Sequence, residues 1–369
     1  MNFMSVPLPL VSLARASLFN PVPPTLAEGC SEWDPFQDRW QSGDVDWCPA
    51  PYRRRRRGGF MSDLPLHAKY LPFTSDQLRD HFAPVAGKAL DDRHLRYFTD
   101  SLLRLAAHLD GADKGKPSKS DVRIGRQLEK DERFWIVTAL MNLYQRPRGE
   151  AARAQAFGDL LQLAGLRPPK PFSDWVTALD GSLELYFEVN LPSPTGYRTW
   201  LRNHLDERVL IPYVREAADK ATRLEGTTKV DAMLLAPDTG VAVIFEAKVL
   251  SDVSTQVTFD VARNQLARNI DVMLDPPSTT FPLNKRQPSL TSFVLLTPDV
   301  FRQPGTGLRS GRLYGWLMDA YQDPSKALLA EHLGHRTAEE LVGVANRLGW
   351  ASWEDVNEVI PGACSWLPV

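Results

Sequence analysis

The spacing of apolar residues predicts that the first half of the chain is helical. From residue 74 to residue 165, apolar side chains recur at intervals of three and four positions, which is the period of an amphipathic helix. In residues 91 to 109 this stripe is formed by Leu95, Phe98, Leu102, Leu105 and Leu109. Prolines within residues 168 to 171 end the pattern. We therefore predict a helical domain over residues 61 to 170.

After this boundary the pattern changes to strands that alternate with helices. Residues 182 to 190 alternate apolar and polar side chains, as a half-buried strand does. Helical spacing covers residues 197 to 222 and 260 to 274, and residues 290 to 297 have the composition of a buried strand. We therefore predict an α/β core over residues 171 to 300, in which a mixed sheet is flanked by helices.

The two ends of the chain differ from these regions. Residues 301 to 369 begin with a Gly-rich loop and continue with short helical patterns, so we predict a C-terminal helical extension packed on the core. Residues 1 to 60 lack any periodicity and contain five consecutive arginines, so we predict a disordered leader. Translation that starts at Met61 is an alternative explanation, because codons for arginine and glycine can resemble a bacterial ribosome-binding site.

The strands on either side of residues 237 to 240 form a predicted antiparallel hairpin. This turn contains proline, aspartate and glycine, and both flanking strands are short and apolar. If Pro237 faces Gly240 across the turn, Asp231 lies directly opposite Glu246, with the carboxylates roughly 5 Å apart. Since side chains alternate along a strand, Lys248 shares the face of Glu246. The opposite face carries Val243, Phe245 and Ala247.

This pair of carboxylates requires a partner. Like charges that face each other destabilise a strand pair, and burial in apolar strands adds to that effect. A divalent cation offsets the repulsion, since Mg²⁺ accepts one or two carboxylates and completes its octahedron with waters and phosphate oxygens. A nearby ammonium group can orient or deprotonate an attacking water, or stabilise charge that develops on a phosphate.

Asp231, fourteen intervening residues and then Glu246-Ala247-Lys248 resemble the motif of the PD-(D/E)xK nuclease superfamily. The resemblance covers about residues 197 to 298. It implies a restriction-endonuclease-like fold and phosphodiester hydrolysis, with the Asp and the Glu holding Mg²⁺ or Mn²⁺ and the Lys acting on the water.

The same resemblance implies further residues of the site. Members of the superfamily commonly carry another acidic residue on the helix before the hairpin, which makes Glu207 the first candidate for a third metal ligand and Glu216 the second. The helix after the hairpin often carries a Gln and a basic residue beside the site, which corresponds here to Gln265 as a catalytic residue and Arg268 as a phosphate contact. An exposed position without function is the alternative for either Glu.

One feature of the chain departs from the superfamily pattern. Three strands usually lie between the two core helices of the family, whereas the sequence predicts only two here with clarity. Residues 182 to 190, or a short strand near Leu224, could supply the third strand.

Arginine side chains provide candidate contacts for nucleic acid. A guanidinium pairs with phosphate oxygens through two hydrogen bonds, so we predict that Arg263 and Arg268 bind the substrate backbone. A second group, Arg309 and Arg312, lies near aromatic residues on which bases could stack. The alternative for Arg263 and Arg268 is a helix surface with ordinary ion pairs, and the alternative for Arg309 and Arg312 is a solvated loop whose aromatic residues pack on the core.

Composition excludes some classes of protein. Apolar residues make up 43% and charged residues 24% of the 369 positions, and no apolar run approaches the ~20 residues of a membrane span. We therefore predict no membrane association. The formal net charge of -2 provides no overall basic field, so nucleic acid would have to bind a local patch.

Cysteine and histidine residues do not form a second candidate metal site. The cysteines have neither metal-ligand spacing nor a disulfide framework, which is typical of a protein in a reducing cytoplasm. His332 and His335 have a suitable spacing but no third ligand, so we interpret them as surface residues. We predict a cytoplasmic location.

Together these features predict a Mg²⁺-dependent endonuclease that acts on DNA in restriction, repair or defence. The helical domain would regulate the nuclease, form a homo-oligomer or bind a partner protein. Two alternatives remain open. The chain could be a non-catalytic member of the fold that binds nucleic acid or acts as a scaffold, or a helical interaction protein whose α/β half is structural support.

Overall fold

The computed structural model describes residues 71–82, 93–112, 129–255, 258–277, 283–364 and 367. The predicted leader, residues 1 to 60, and the alternative start at Met61 lie outside this part of the chain. The described residues all belong to one compact unit. In the described part, no helix combines the length and the apolar character that crossing a membrane requires.

Helices precede the sheet, as predicted. They are α1 (Ser75–Arg79), α2 (Arg93–Ala112), α3 (Glu132–Gln145), α4 (Glu150–Leu163) and α5 (Trp175–Ala178). The next elements are β1 (Glu184–Leu191), α6 (Thr195–Asn203), α7 (Leu205–Arg208), α8 (Pro212–Lys220), β2 (Thr228–Ala236), β3 (Val241–Ala247), α9 (Gln265–Leu274) and β4 (Thr291–Thr297).

The last part of the chain contains short helices and one more strand. These elements are α10 (Asp299–Arg302), α11 (Gly307–Ser310), α12 (Leu313–Tyr321), α13 (Leu328–His332), α14 (Ala338–Leu341), β5 (Leu348–Ser352) and α15 (Trp353–Val359). Short 3-10 helices occupy Leu283–Lys285, Pro288–Leu290, Pro324–Lys326 and Val344–Arg347. The C-terminal region therefore supplies a strand as well as helices.

The strands form one mixed sheet in the order β1-β2-β3-β4-β5. Strands β1, β2 and β3 pair antiparallel, whereas β3, β4 and β5 pair parallel. The predicted mixed sheet flanked by helices is confirmed. Strand β1, which the sequence suggested over residues 182 to 190, joins the hairpin as its third strand.

The register of the hairpin follows from its turn. Ala236 pairs with Val241 and Ala232 pairs with Phe245, with each pair between them in the predicted register. Gly240 has φ +79°, a left-handed conformation that glycine adopts without steric cost. The predicted register is confirmed over these pairs, and Asp231 and Glu246 are the next residues along the two strands.

Each face of the sheet is buried under its own layer of helices. On one face, apolar residues of the strands pack with helices α2, α3, α4 and α15, and the cluster includes Leu234, Val243, Phe245, Ala247 and Leu296. On the other face, α9 and α12 cover Met233, Ile244, Phe293 and Leu295. The predicted helical region therefore shares a core with the sheet, because the first cluster contains side chains of both.

Two predicted helices have different bounds. Residues 197 to 222 form α6, α7 and α8 rather than one helix, because Pro212 lacks a backbone N–H and begins a new helix. Leu210 and Ile211 are exposed at this break. Helix α9 begins at Gln265 rather than Asp260, because the side chain of Asn264 accepts a hydrogen bond from Ala267 N and caps the helix.

Candidate active site

The candidate site lies where the hydrogen bonds between β2 and β3 end. The last strand pair is that of Ala232 and Phe245. Beyond it, Ala247 N donates a hydrogen bond of 2.8 Å to Oδ2 of the Asp231 side chain instead of to the backbone of β2. Oδ1 of Asp231 accepts no hydrogen bond from any described residue. One oxygen of this carboxylate is therefore free for a ligand.

Glu246 is almost fully buried and is held by side chains of two elements. Its Oε1 accepts hydrogen bonds from Lys248 Nζ and from Gln265 Nε2, both at 2.6 Å. Its Oε2 accepts one from Asn269 Nδ2 at 2.8 Å. Gln265 and Asn269 are one turn apart on α9, so the helix presents both amides to the same carboxylate.

Lys248 lies on the face predicted for it, between two carboxylates. Besides its contact with Glu246, Nζ lies 3.7 Å from Oε2 of Glu132. Glu132 is the first residue of α3 and therefore comes from the helical region. Its Oε1 accepts hydrogen bonds from Val249 N at 3.1 Å and from the hydroxyl of Ser251. The helical region thus contributes directly to the site.

The charges of the site are unbalanced. Three carboxylates, those of Asp231, Glu246 and Glu132, surround the single ammonium group of Lys248. Burial, followed by repulsion from Glu246, raises the pKa of Asp231 to about 8. Burial acts to lower the pKa of Lys248, but the three carboxylates outweigh it and raise that pKa. Lys248 therefore keeps its proton, but its charge compensates that of Asp231 only in part.

The residues present fit a divalent metal ion such as Mg²⁺. Among the described residues, no three His, Cys, Asp or Glu side chains already converge on one point. The donor chemistry is nevertheless suitable, because the free Oδ1 of Asp231 and the remaining lone pair on Oε2 of Glu246 are hard oxygen ligands. A divalent cation would also relieve the repulsion that raises the pKa of Asp231.

The predicted third acid comes from a different place. Glu207 is exposed on α7, and Glu216 is exposed on α8, where it accepts a hydrogen bond from Lys220 at 2.6 Å. Neither makes a contact with Asp231 or Glu246 in the described part of the chain. The third carboxylate near the site is instead that of Glu132, whose Oε2 lies 3.7 Å from Lys248 Nζ.

Arg263 cannot make the predicted contact with nucleic acid, because its side chain is fully buried. Its guanidinium contacts Glu225 at 3.0 Å and Asp271 at 2.8 Å, and it stacks on the ring of Tyr197. Burial acts to raise the pKa of Asp271, but His335 and the neighbouring guanidinium groups lower it to about 2. Arg263 is therefore part of a buried ionic network.

The other predicted arginines all have partners within the protein. Arg268 donates to the carbonyl oxygens of Gly226 and Thr227. Arg309 pairs with Asp319 and stacks on Trp350. Arg312 donates to Leu250 O at 2.8 Å and stacks on Phe301. These contacts agree with the alternative interpretation, in which the arginines support the fold.

The two histidines are not surface residues, contrary to the sequence analysis. Nε2 of His335 lies 3.1 Å from Asp271, and its side chain is only 4% exposed. His332 contacts Asn264 and the hydroxyl of Tyr321. Burial lowers the pKa of His332. Both rings therefore belong to the packing of the C-terminal region against α9.

Glu132 and Asn269 are the residues of the site that sequence reasoning missed. Asn269 could have been found, because it follows Gln265 by four positions and therefore lies on the same face of a helix. Glu132 has no such signal. It is separated from Lys248 by more than a hundred residues, and only the packing of α3 against the sheet brings the two together.

Comparisons of the chain with family models, with curated proteins and with solved structures found no match.

Proposed function

We propose that the protein is a metal-dependent endonuclease of the PD-(D/E)xK type, with a restriction-endonuclease-like core, that hydrolyses phosphodiester bonds in DNA. A role in restriction, repair or defence is part of this proposal. The observation that supports it best is the convergence of Asp231, Glu246 and Lys248 at the open end of the hairpin. Two carboxylates and an ammonium group in one place support this proposal, because they can hold a divalent cation and stabilise negative charge on a phosphate.

Each side chain has a defined task in this proposal. Asp231 and Glu246 would hold Mg²⁺ or Mn²⁺, which supplies positive charge to the phosphate and an acidified water when bound. Lys248 stays protonated, and its ammonium group would donate hydrogen bonds to the attacking water or to the oxygens of the transition state. Gln265 and Asn269 fix the orientation of Glu246 from α9.

The experiment is a cleavage assay on plasmid, linear duplex, single-stranded DNA and RNA, each with Mg²⁺, with Mn²⁺ and with a chelator. We expect cleavage of DNA that the chelator abolishes and that Lys248→Ala lowers by about 100-fold or more. Lys220→Ala is the matched control, because Lys220 is exposed and, within the described part of the chain, pairs with Glu216 alone. Equal rates for wild type and Lys248→Ala would contradict the proposal.

One observation favours a second candidate, a non-catalytic member of the fold that binds nucleic acid. Both oxygens of Glu246 already accept hydrogen bonds from side chains, so the network is satisfied without an ion. Calorimetric titration separates the two candidates. Uptake of Mn²⁺ that Asp231→Ala abolishes supports the enzyme, whereas DNA binding without any metal uptake supports the second candidate.

A further inference from the structure

The segment that follows Lys248 is held from several sides. Lys248 N donates to Leu296 O of β4 at 2.9 Å, and Lys248 O accepts from Nε1 of Trp353 at 3.3 Å. The next amide, Val249 N, donates to Glu132 rather than to a strand. Strand β3 ends at Ala247, and after this end the side chain of Glu132, rather than a neighbouring strand, accepts the hydrogen bond of the Val249 amide.

The contacts of Glu132 divide between its two oxygens. Oε1 accepts from Val249 N and from the hydroxyl of Ser251, whereas Oε2 faces Nζ of Lys248 at 3.7 Å. One carboxylate thus fixes both the backbone after Lys248 and the position of its ammonium group. The side chain of Lys248 is only 6% exposed, so few other positions are open to it.

Helix α3 is itself anchored, which makes Glu132 a rigid support. Asp131 caps the helix by accepting a hydrogen bond from Arg133 N at 3.1 Å. One turn further along, the ring of Trp135 packs on that of Trp353 at 5.4 Å between centroids. Trp353 is the residue that donates to Lys248 O. The two supports of Lys248 are therefore in contact with each other.

We propose that Glu132 is a positioning residue of the active site, which holds Lys248 and the segment from Val249 to Ser251 through its carboxylate oxygens. The kinetic consequence rests on the proposed nuclease function, whereas the structural consequence does not. A loss of these hydrogen bonds frees the segment, and a displacement of about 1 Å at a catalytic group can lower a rate by roughly a hundredfold. We expect substrate binding to change little, because the contacts of Glu132 are with Lys248, Val249 and Ser251.

Three variants test this inference: Glu132→Gln keeps the acceptor oxygen, Glu132→Asp retracts it by one methylene, and Glu132→Ala removes it. We expect the Asp and Ala variants to lower kcat by about 10- to 100-fold with KM within about threefold. We expect the kcat of the Gln variant to lie between those of wild type and the Ala variant, because its amide keeps an acceptor for Val249 N but loses the ionic contact with Lys248 Nζ. Hydrogen exchange at Val249 N should be at least about tenfold faster in the Asp and Ala variants.

The matched control is Glu150→Ala. Glu150 is also the first residue of a helix, but it is exposed, so it reports the loss of a helix N-terminal charge alone. We expect wild-type kcat and wild-type exchange at Val249. If Glu132→Ala fails to fold, kcat and hydrogen exchange at Val249 N are measured on Glu132→Asp instead.

Three results would overturn the positioning role. They are unchanged exchange at Val249 in the Asp variant, a Gln variant as impaired as the Ala variant, or a tenfold loss of Mn²⁺ affinity in the Gln variant, which would make Glu132 a metal ligand. If wild type cleaves no substrate, the nuclease function fails, while the exchange measurement still decides the role of Glu132.

Discussion

The same chemical group has two different environments in this site. Glu246 accepts three hydrogen bonds from side chains, whereas Asp231 accepts one from a backbone amide. Asp231 is destabilised when it is ionised, because burial and the charge of Glu246 raise its pKa to about 8. Asp231 is therefore the residue at which the proposed metal binding and the stability of the metal-free protein conflict.

This conflict predicts that Asp231→Asn stabilises the metal-free protein at pH 8. The folded-state pKa of Asp231 lies above its unfolded value, so the folded state binds more protons and loses stability as the pH rises from about 4 to about 8. Asparagine removes this loss. We expect Tm at pH 8 to rise by about 2–5 °C and to depend less on pH.

Thermal unfolding in chelator at pH 5 and at pH 8 measures this effect. The exposed Asp219 provides the control, since Asp219→Asn should leave both Tm values unchanged. Added Mn²⁺ should raise the Tm of wild type but not that of Asp231→Asn. A lower Tm for Asp231→Asn at pH 8 would contradict the prediction.

Arg263 provides a second prediction at the scale of single residues. Arg263→Ala leaves Glu225 and Asp271 buried without their shared cation, and breaking a buried ion pair in this way costs about 3–5 kcal/mol. Urea unfolding should show this loss, with no comparable change for the exposed Arg148→Ala. A change below about 1 kcal/mol for Arg263→Ala would mean that the network is not a structural support.

The sequence predicted the residues of the hairpin but not their surroundings. A four-residue turn and the alternation of side chains place Glu246 and Lys248 on one face, and both facts are local. The burial of Arg263 and the position of Glu132 beside Lys248 depend on how distant elements pack. No local pattern distinguishes a buried arginine from an exposed one in the segment before α9.

At the scale of elements, the first turn of α9 determines the support of Glu246. Asn264 caps this helix, and its Nδ2 also donates to the hydroxyl of Tyr321 at 2.8 Å. The cap sets where the helix begins and therefore where Gln265 and Asn269 lie. The periodicity of apolar residues extends beyond the cap, which is why the sequence predicted an earlier start.

Asn264→Ala should therefore destabilise the protein by about 1–2 kcal/mol, which is the usual effect of losing a helix cap. Asn264→Asp keeps the acceptor for Ala267 N and should lose less. Chemical denaturation of both variants measures the difference. Equal losses would show that the bond to Tyr321, rather than the cap, is the important one.

Strand β5 is an element that the sequence pattern did not predict. It is short and includes Gly349 and Ala351, which have little strand propensity. A Cβ at Gly349 would lie 2.8 Å from Cγ of Leu166, so the glycine is needed for close packing with the residues that follow α4. Tertiary contact, rather than local preference, makes this segment a strand.

At the scale of the whole molecule, the mixed sheet was predictable, whereas its joint core with the helical region was not. Proline-rich residues 168 to 171 suggested a boundary, yet one apolar cluster extends across it from α2, α3 and α4 to the sheet. Periodicity identifies a helix and its apolar face. It does not identify which partner covers that face.

A fragment of residues 171 to 369 should therefore not fold on its own. It would expose the face of the sheet that includes Val243 and Phe245, which α3 and α4 cover in the intact protein. We expect no cooperative thermal transition by circular dichroism, with residues 61 to 369 as the folded control. A cooperative melt of the fragment would restore the two-domain description.

Glu132 is separated in the chain from the hairpin that it supports, and this has a consequence for engineering. A designer who grafts the amino-terminal helices of another protein onto this sheet would change the candidate site as well as the helices that cover it. Such a transplant would need a carboxylate at the start of its third helix.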